Sequence, residues 1–217
     1  MHSNRRNILV LGEEGTGKTS LISLLRYGEK RPLDGDNTRS VVSFNATFAE
    51  TGEQYRISML ECNRIISHHR NLTGSVVLTR VKPIERFESY GVSTLHAIII
   101  CITLYGDSEA ATVQSYIKHM ACPSLRIALC VMHSEDTSLS WESDVRESLM
   151  KNLYYKELLS RPTVSLYFAS HCDKLMHFIF SSQDAVPWTS VPVYLKHNKI
   201  ERSKVRNLLD MNTMSSL

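Results

Sequence analysis

The chain lacks most of the features that would set it apart from ordinary globular proteins. No purely apolar run exceeds Ala97–Ile102. A helix crossing a bilayer needs about 20 such residues, so no membrane-spanning helix is expected. Cysteines number 5, an odd count without a C-x-x-C pair, which argues against both a disulfide framework and a structural zinc site. Neither sign of charge dominates: 25 Lys and Arg stand against 22 Asp and Glu, a formal net charge of +3. That surplus is too small to announce a nucleic-acid or membrane binder. His2 does not fit the N-myristoylation pattern, and the terminal Met214-Ser215-Ser216-Leu217 does not fit a prenylation box, so no lipid anchor is expected. Internal repeats and low-complexity segments are also missing.

What is there suits one buried core. The 217 residues are 42% hydrophobic, 8% aromatic and 22% charged, values of a folded domain rather than a disordered chain. Cys101 and Cys130 lie inside apolar runs and read as buried thiols of a reducing compartment. The expected location is therefore cytoplasmic, or nuclear as part of a complex. In such a compartment the glycosylation patterns at Asn45-Ala46-Thr47 and Asn71-Leu72-Thr73 are chance matches.

Apolar strands alternate with helix-like segments. Asn7–Leu11 reads as a buried strand, and Thr19–Tyr27 as a helix with Leu21, Ile22, Leu24 and Leu25 on its apolar face. Ser40–Glu50 and Gln54–Leu60 read as strands joined by a Thr51-Gly52-Glu53 turn. His96–Thr103, Arg126–Met132 and Val164–Ala169 read as further buried strands. Helices are predicted over Ser108–Met120, over Trp141–Leu159 (stopped by Arg161-Pro162) and over Cys172–Phe180. Non-alternating strands separated by helices predict an α/β fold: a mostly parallel sheet covered on both faces, with one antiparallel hairpin at its edge. Residues 62–94 are polar and too long for a connection, so they read as an insert. Residues 182–217 read as a C-terminal tail with a short helix over Arg202–Asp210.

One motif carries chemistry. Gly12-Glu13-Glu14-Gly15-Thr16-Gly17-Lys18-Thr19 fits G-x-x-x-x-G-K-[ST] without a mismatch, directly after a strand and at the start of a helix. Glycines let the backbone turn its N–H groups onto phosphate oxygens, and the helix N-terminus adds positive potential. Gly12, Glu14, Gly15, Thr16, Gly17, Lys18, Thr19 and Ser20 are therefore the candidate phosphate-binding residues. The Lys18 ammonium suits the outer phosphates, and the Thr19 hydroxyl suits Mg²⁺.

With this loop, the hairpin and the strand order, the chain resembles the Ras-like small GTPase superfamily over roughly residues 5–181. The resemblance implies a three-layer P-loop NTPase fold with a six-stranded sheet, a GTP or GDP ligand with Mg²⁺, and two switch loops. It makes Thr38 and Glu61 further Mg²⁺ candidates, Asp136 the guanine-reading carboxylate, and Ser170 part of the last base-contacting loop. Departures from the family pattern are equally specific. Arg64 stands where the γ-phosphate-sensing glycine belongs, and Ile65 stands where glutamine would orient water. His133 and Ser134 replace the Asn and Lys of the base motif. Phosphate cradling is kept, while switching and hydrolysis are expected to be lost.

These readings lead to a pseudo-GTPase scaffold or adaptor, a subunit of a multi-protein assembly. The alternative is an active GTP-binding switch in trafficking with unorthodox switch residues. The stretch NILVLGEEGTGKTSLI is similar to the opening of dynein light intermediate chains, and the Val186-Pro187 region with the C-terminal leucines is similar to centromere protein M. Both resemblances imply protein partners within a larger machine. The tail cations Lys196, Lys199, Arg202, Lys204 and Arg206 flank Val205, Leu208 and Leu209. They read first as a partner-docking helix and second as a nucleic-acid contact. His68-His69 reads as a solvated pair rather than a metal site.

Overall fold

A computed structural model of the chain describes residues 4–29, 41–62, 66–70, 76–80, 92–104, 113, 124–132 and 139–187. Ten strands are described: β1 (Arg5–Leu11), β2 (Val41–Thr47), β3 (Gln54–Cys62), β4 (Ile66–Arg70), β5 (Val76–Arg80), β6 (Thr94–Leu95), β7 (Ala97–Ile102), β8 (Arg126–Val131), β9 (Val164–Phe168) and β10 (Val186–Pro187). The described helices are α1 (Lys18–Tyr27), α2 (Leu139–Lys151), α3 (Leu153–Leu159) and α4 (Cys172–Ser181). Of the helix predicted over Ser108–Met120, Val113 alone is described, helical and buried in the core that holds Leu9 and Ile98; the tail helix lies outside the described residues.

The main sheet has six strands in the order β2-β3-β1-β7-β8-β9. All neighbours are parallel except β2, which runs antiparallel to β3 at the edge. This is the predicted α/β architecture. Its central strands β1, β7 and β8 are buried without alternation, from Arg6 onward in β1, at every residue of β7 and from Ile127 onward in β8, because helices cover both faces. Alternate residues divide into two cores. Leu9, Leu11, Ile98, Ile100, Leu129 and Phe168 pack with α2 and α3 through Val145, Leu149, Tyr155 and Leu158. Ile8, Val10, Ile99, Cys101 and Cys130 pack with α1 and α4 through Leu21, Ile22, Leu175 and Phe178. The thiols of Cys101 and Cys130 are buried as the sequence implied.

The hairpin closes where the turn was expected. Gly52, at φ 71°, donates its N–H to the Phe48 carbonyl at 2.8 Å, while the Phe48 N–H donates to the Glu53 carbonyl at 2.8 Å. This pattern is a glycine-first β-bulge, which sets the β2–β3 register. It also fixes which backbone groups of β2 face β3: with Phe48 bonded inward, Ala46, Phe44 and Val42 follow at every second residue.

The single helix predicted over Trp141–Leu159 is instead two. Asn152 takes an extended conformation (φ −79°, ψ 120°), and its side chain accepts from the Tyr154 and Tyr155 N–H groups, capping α3. Asn is a poor helix-interior residue and a strong N-cap, so local capping overrides the apolar period that runs through it. The insert and the tail also hold structure: β4 and β5 form an antiparallel pair, and β6 pairs antiparallel with β10. Val186 of β10 thereby joins the first core.

At the amino ends of the parallel strands, the Asn7 N–H donates to Nδ1 of buried His96 at 3.1 Å. Accepting there requires a neutral ring. Burial, aided by the Arg6 charge, lowers the His96 pKa to about 4. The unfolded ring titrates near 6.5, so the folded state binds fewer protons between those values. This contribution is complete above about pH 6.5 and is lost as pH falls toward 4. Between pH 7 and pH 4.5 the loss from this residue is expected to be about 2.5 kcal/mol. Urea unfolding of wild type and His96→Asn at both pH values checks it. Equal acid losses in the two proteins would refute the assignment.

Candidate functional site

The phosphate loop lies at the carboxyl end of β1, between the ends of β3 and β7. It is held from beneath by close packing rather than by side-chain reach. A Cβ on Gly12 would stand 2.5 Å from Thr16 Oγ1 and 2.9 Å from the Cys101 carbonyl oxygen. The loop backbone therefore rests directly on β7. Burial beneath it pushes the Cys101 thiol up to about 12, so it stays protonated and neutral. Gly12→Ala is expected to destabilise the fold by about 1–3 kcal/mol, the usual range for overpacking. Chemical denaturation measures this, and a neutral Gly12→Ala would contradict the contact.

The loop is organised around one carbonyl. The Glu13 oxygen accepts from Thr16 Oγ1 at 2.9 Å, from the Thr16 N–H at 3.3 Å and from Lys18 Nζ at 2.6 Å. Lys18 is 4% exposed. Among the described residues no carboxylate lies within ion-pairing distance of its ammonium. A buried cation normally requires an anion partner. Gly17, in the left-handed conformation (φ 82°), is the N-cap of α1, which has no side-chain cap and no acidic residue in its first turn. The N–H groups of that turn and the Lys18 ammonium together present the charge and donors that suit an anion.

Beside it, Thr19 Oγ1 lies 2.8 Å from both Oε1 and Oε2 of Glu61. The parallel register of β1 and β3, which pairs Val10 with Glu61, brings this carboxylate to the loop. A hydroxyl and a carboxylate next to these groups are hard oxygen donors, the set that Mg²⁺ takes along with waters and phosphate oxygens. The donors fit the ion. Among the described residues no cluster of three or more His, Cys, Asp or Glu has a metal-binding arrangement.

The remaining predicted residues fall at the same carboxyl edge or outside the description. Glu14, Gly15 and Ser20 are exposed on the loop and first helical turn. Ser170 follows β9 and is exposed, with Oγ 3.5 Å from Glu142 Oε1. Thr38 and Asp136 lie outside the described residues, as do Arg64, Ile65, His133 and Ser134.

Sequence reasoning missed two parts of this edge. One is the Glu13 carbonyl, a backbone group without a side-chain signature. The other is Glu142 of α2, which touches Ser170 and lies 3.4 Å from His171 Nε2. Only the packing of α2 beside the end of β9 joins these residues.

No protein-family model matches the chain, and no curated protein matches it. Among solved structures it is similar to the crystal structure of Toc33 from Arabidopsis thaliana in complex with Mg²⁺ and GMPPNP. The TM-score is 0.50 at 17% identity, over 85% of this chain and 88% of that one. At that identity the likeness is one of fold alone: the mostly parallel α/β sheet with one antiparallel edge strand.

Proposed function

We propose that the chain binds GTP or GDP with Mg²⁺ and serves as a pseudo-GTPase: a non-catalytic scaffold or adaptor subunit of a multi-protein assembly of motor or kinetochore type. The observation that carries the binding half is the buried Lys18 ammonium, without a carboxylate partner among the described residues, at the start of α1, whose Gly17 N-cap has no side-chain cap. A phosphate group would satisfy both the cation and the N–H groups of the first turn. Thr19 and Glu61 would hold Mg²⁺, which supplies charge neutralisation between the phosphates. The similarity to a fold crystallised with Mg²⁺ and GMPPNP supports the same ligand class.

Guanine is preferred on sequence grounds, through Asp136 and the Ser170 loop. The scaffold half also rests on sequence: Arg64 and Ile65 occupy the positions of the switch glycine and the water-orienting glutamine. Ile has no group that can orient a nucleophile. The partners are proposed to be protein subunits, in the cytoplasm or in a nuclear complex. The tail cations make a nucleic-acid contact the secondary option. The runner-up reading, an active switch GTPase in trafficking, is favoured by the retention of Thr38, Glu61 and Asp136.

The test is denaturation of the purified protein followed by chromatography of the released nucleotide, then hydrolysis assays. Stoichiometric GTP or GDP with turnover no faster than that of Lys18→Ala is the expected result. A site that releases nothing and takes up no added nucleotide with Mg²⁺ would overturn the binding half. Multiple-turnover hydrolysis above that variant would favour the switch reading instead.

A further inference from the structure

The sheet ends at β2 with one side of its backbone unpaired by any described strand. The bulge at Gly52 and Glu53 determines which groups those are. Since Phe48, Ala46, Phe44 and Val42 bond toward β3, the N–H and C=O groups of Val41, Ser43, Asn45 and Thr47 point away from the sheet. The Arg56 N–H, which donates to the Asn4 carbonyl on the far side of β3, has the phase this assignment requires.

Natural sheet edges are usually blunted by lysine, proline, a mid-strand bulge or short length. β2 has none of these devices: VVSFNAT is seven residues without a charge or a proline, paired to β3 in unbroken register. Its apolar side chains are also only partly covered. Val42, Phe44 and Ala46 are half-buried against the second core, while Ser43, Asn45 and Thr47 are exposed on the other face.

We propose that the outer edge of β2 is the interface for a second copy of this chain, joined antiparallel about a two-fold axis at Phe44. The strand is its own complement in that register. Ser43 meets Asn45 of the second copy, Val42 meets Ala46, Val41 meets Thr47, and the two Phe44 rings face each other. Every outward N–H and C=O finds a partner, apolar meets apolar on the core face, and no like charges oppose. A two-fold interface of this kind uses one patch twice and closes. The two sheets become one continuous sheet. This inference does not depend on nucleotide binding.

Hydrogen exchange of the full-length protein, read alongside sedimentation equilibrium from about 1 to about 100 µM, tests it. The amides of Ser43, Asn45 and Thr47 are expected to gain protection as dimer mass appears, while those of Val42, Phe44 and Ala46 are protected throughout. Asn45→Pro removes an outward N–H and leaves the β2–β3 hydrogen bonds in place, so it is expected to give a monomer. Ser43→Lys with Asn45→Lys sets like charges opposite across the axis and is expected to do the same. A monomer at the highest concentration with fast exchange at Ser43, Asn45 and Thr47 would overturn the proposal. So would protection of those amides at every concentration, which would mean that the chain covers its own edge. A dimer that survives both variants would place the interface elsewhere and would overturn it too.

Discussion

Lys18→Ala is expected to weaken binding of GTP or GDP by at least about 100-fold while leaving most of the folding stability intact. The ammonium is buried, and its described partner is a single carbonyl, the Glu13 oxygen at 2.6 Å. In the bound state it would add charge-assisted bonds to phosphate oxygens, each contributing about 1.5–3 kcal/mol. Two such bonds correspond to a loss of roughly two to four powers of ten in affinity. The cost to the unliganded fold is smaller. One hydrogen bond to a backbone carbonyl disappears, and Thr16 still donates to the same oxygen through its N–H and its hydroxyl. Titration calorimetry with nucleotide and Mg²⁺, beside a thermal melt, separates the two effects. An affinity within threefold of wild type would sink the assignment of Lys18 to phosphate.

Phe168→Ala is expected to remove about 3–5 kcal/mol of stability, a large part of the roughly 5–15 kcal/mol available to a domain. The ring is 1% exposed at the end of β9, which among the described strands bonds to β8 alone. It meets Trp141 edge-on at 5.6 Å between centroids, and the Arg146 guanidinium lies 5.1 Å from its centre. Both groups come from α2, so truncation opens a cavity where that helix closes over the sheet edge. Aromatic and cation–π contacts of this kind contribute about 0.5–1.5 kcal/mol each beyond the buried area. Phe168→Leu keeps most of the volume and is expected to lose less than about half as much. Urea unfolding gives both values from the midpoint and slope. A loss below about 1 kcal/mol for alanine would mean that the rim of the core is not packed as described.

The two substitutions probe features of opposite legibility. Lys18 could be read as a candidate because every determinant of the motif is contiguous: three glycines, a lysine and two threonines within Gly12–Thr19, directly after a strand. Backbone conformation and the helix N-terminus act over a few residues, so their chemistry is written in order. The buried strands were legible for a similar reason, since covering both faces of a sheet demands apolar residues without alternation. The β2–β3 turn likewise follows from one glycine that tolerates φ 71°.

Contacts made by strand register and helix packing could not be read this way. Thr19 and Glu61 are 42 residues apart and meet because β1 lies beside β3 with Val10 opposite Glu61. His96 receives the Asn7 N–H across 89 residues. Glu142 reaches Ser170 only because α2 lies beside the end of β9. The break at Asn152 is local, yet the apolar period of the flanking helices concealed it, and its cap was settled by side-chain geometry. The chain alone therefore determined the kind of layers and the place of the glycine-rich strand–helix loop, because propensity, periodicity and backbone freedom act between near neighbours. Tertiary structure decided which distant side chains meet beside the loop and which sheet edge the described strands leave unpaired. Those outcomes depend on how packed elements align, and that alignment is a property of the whole core.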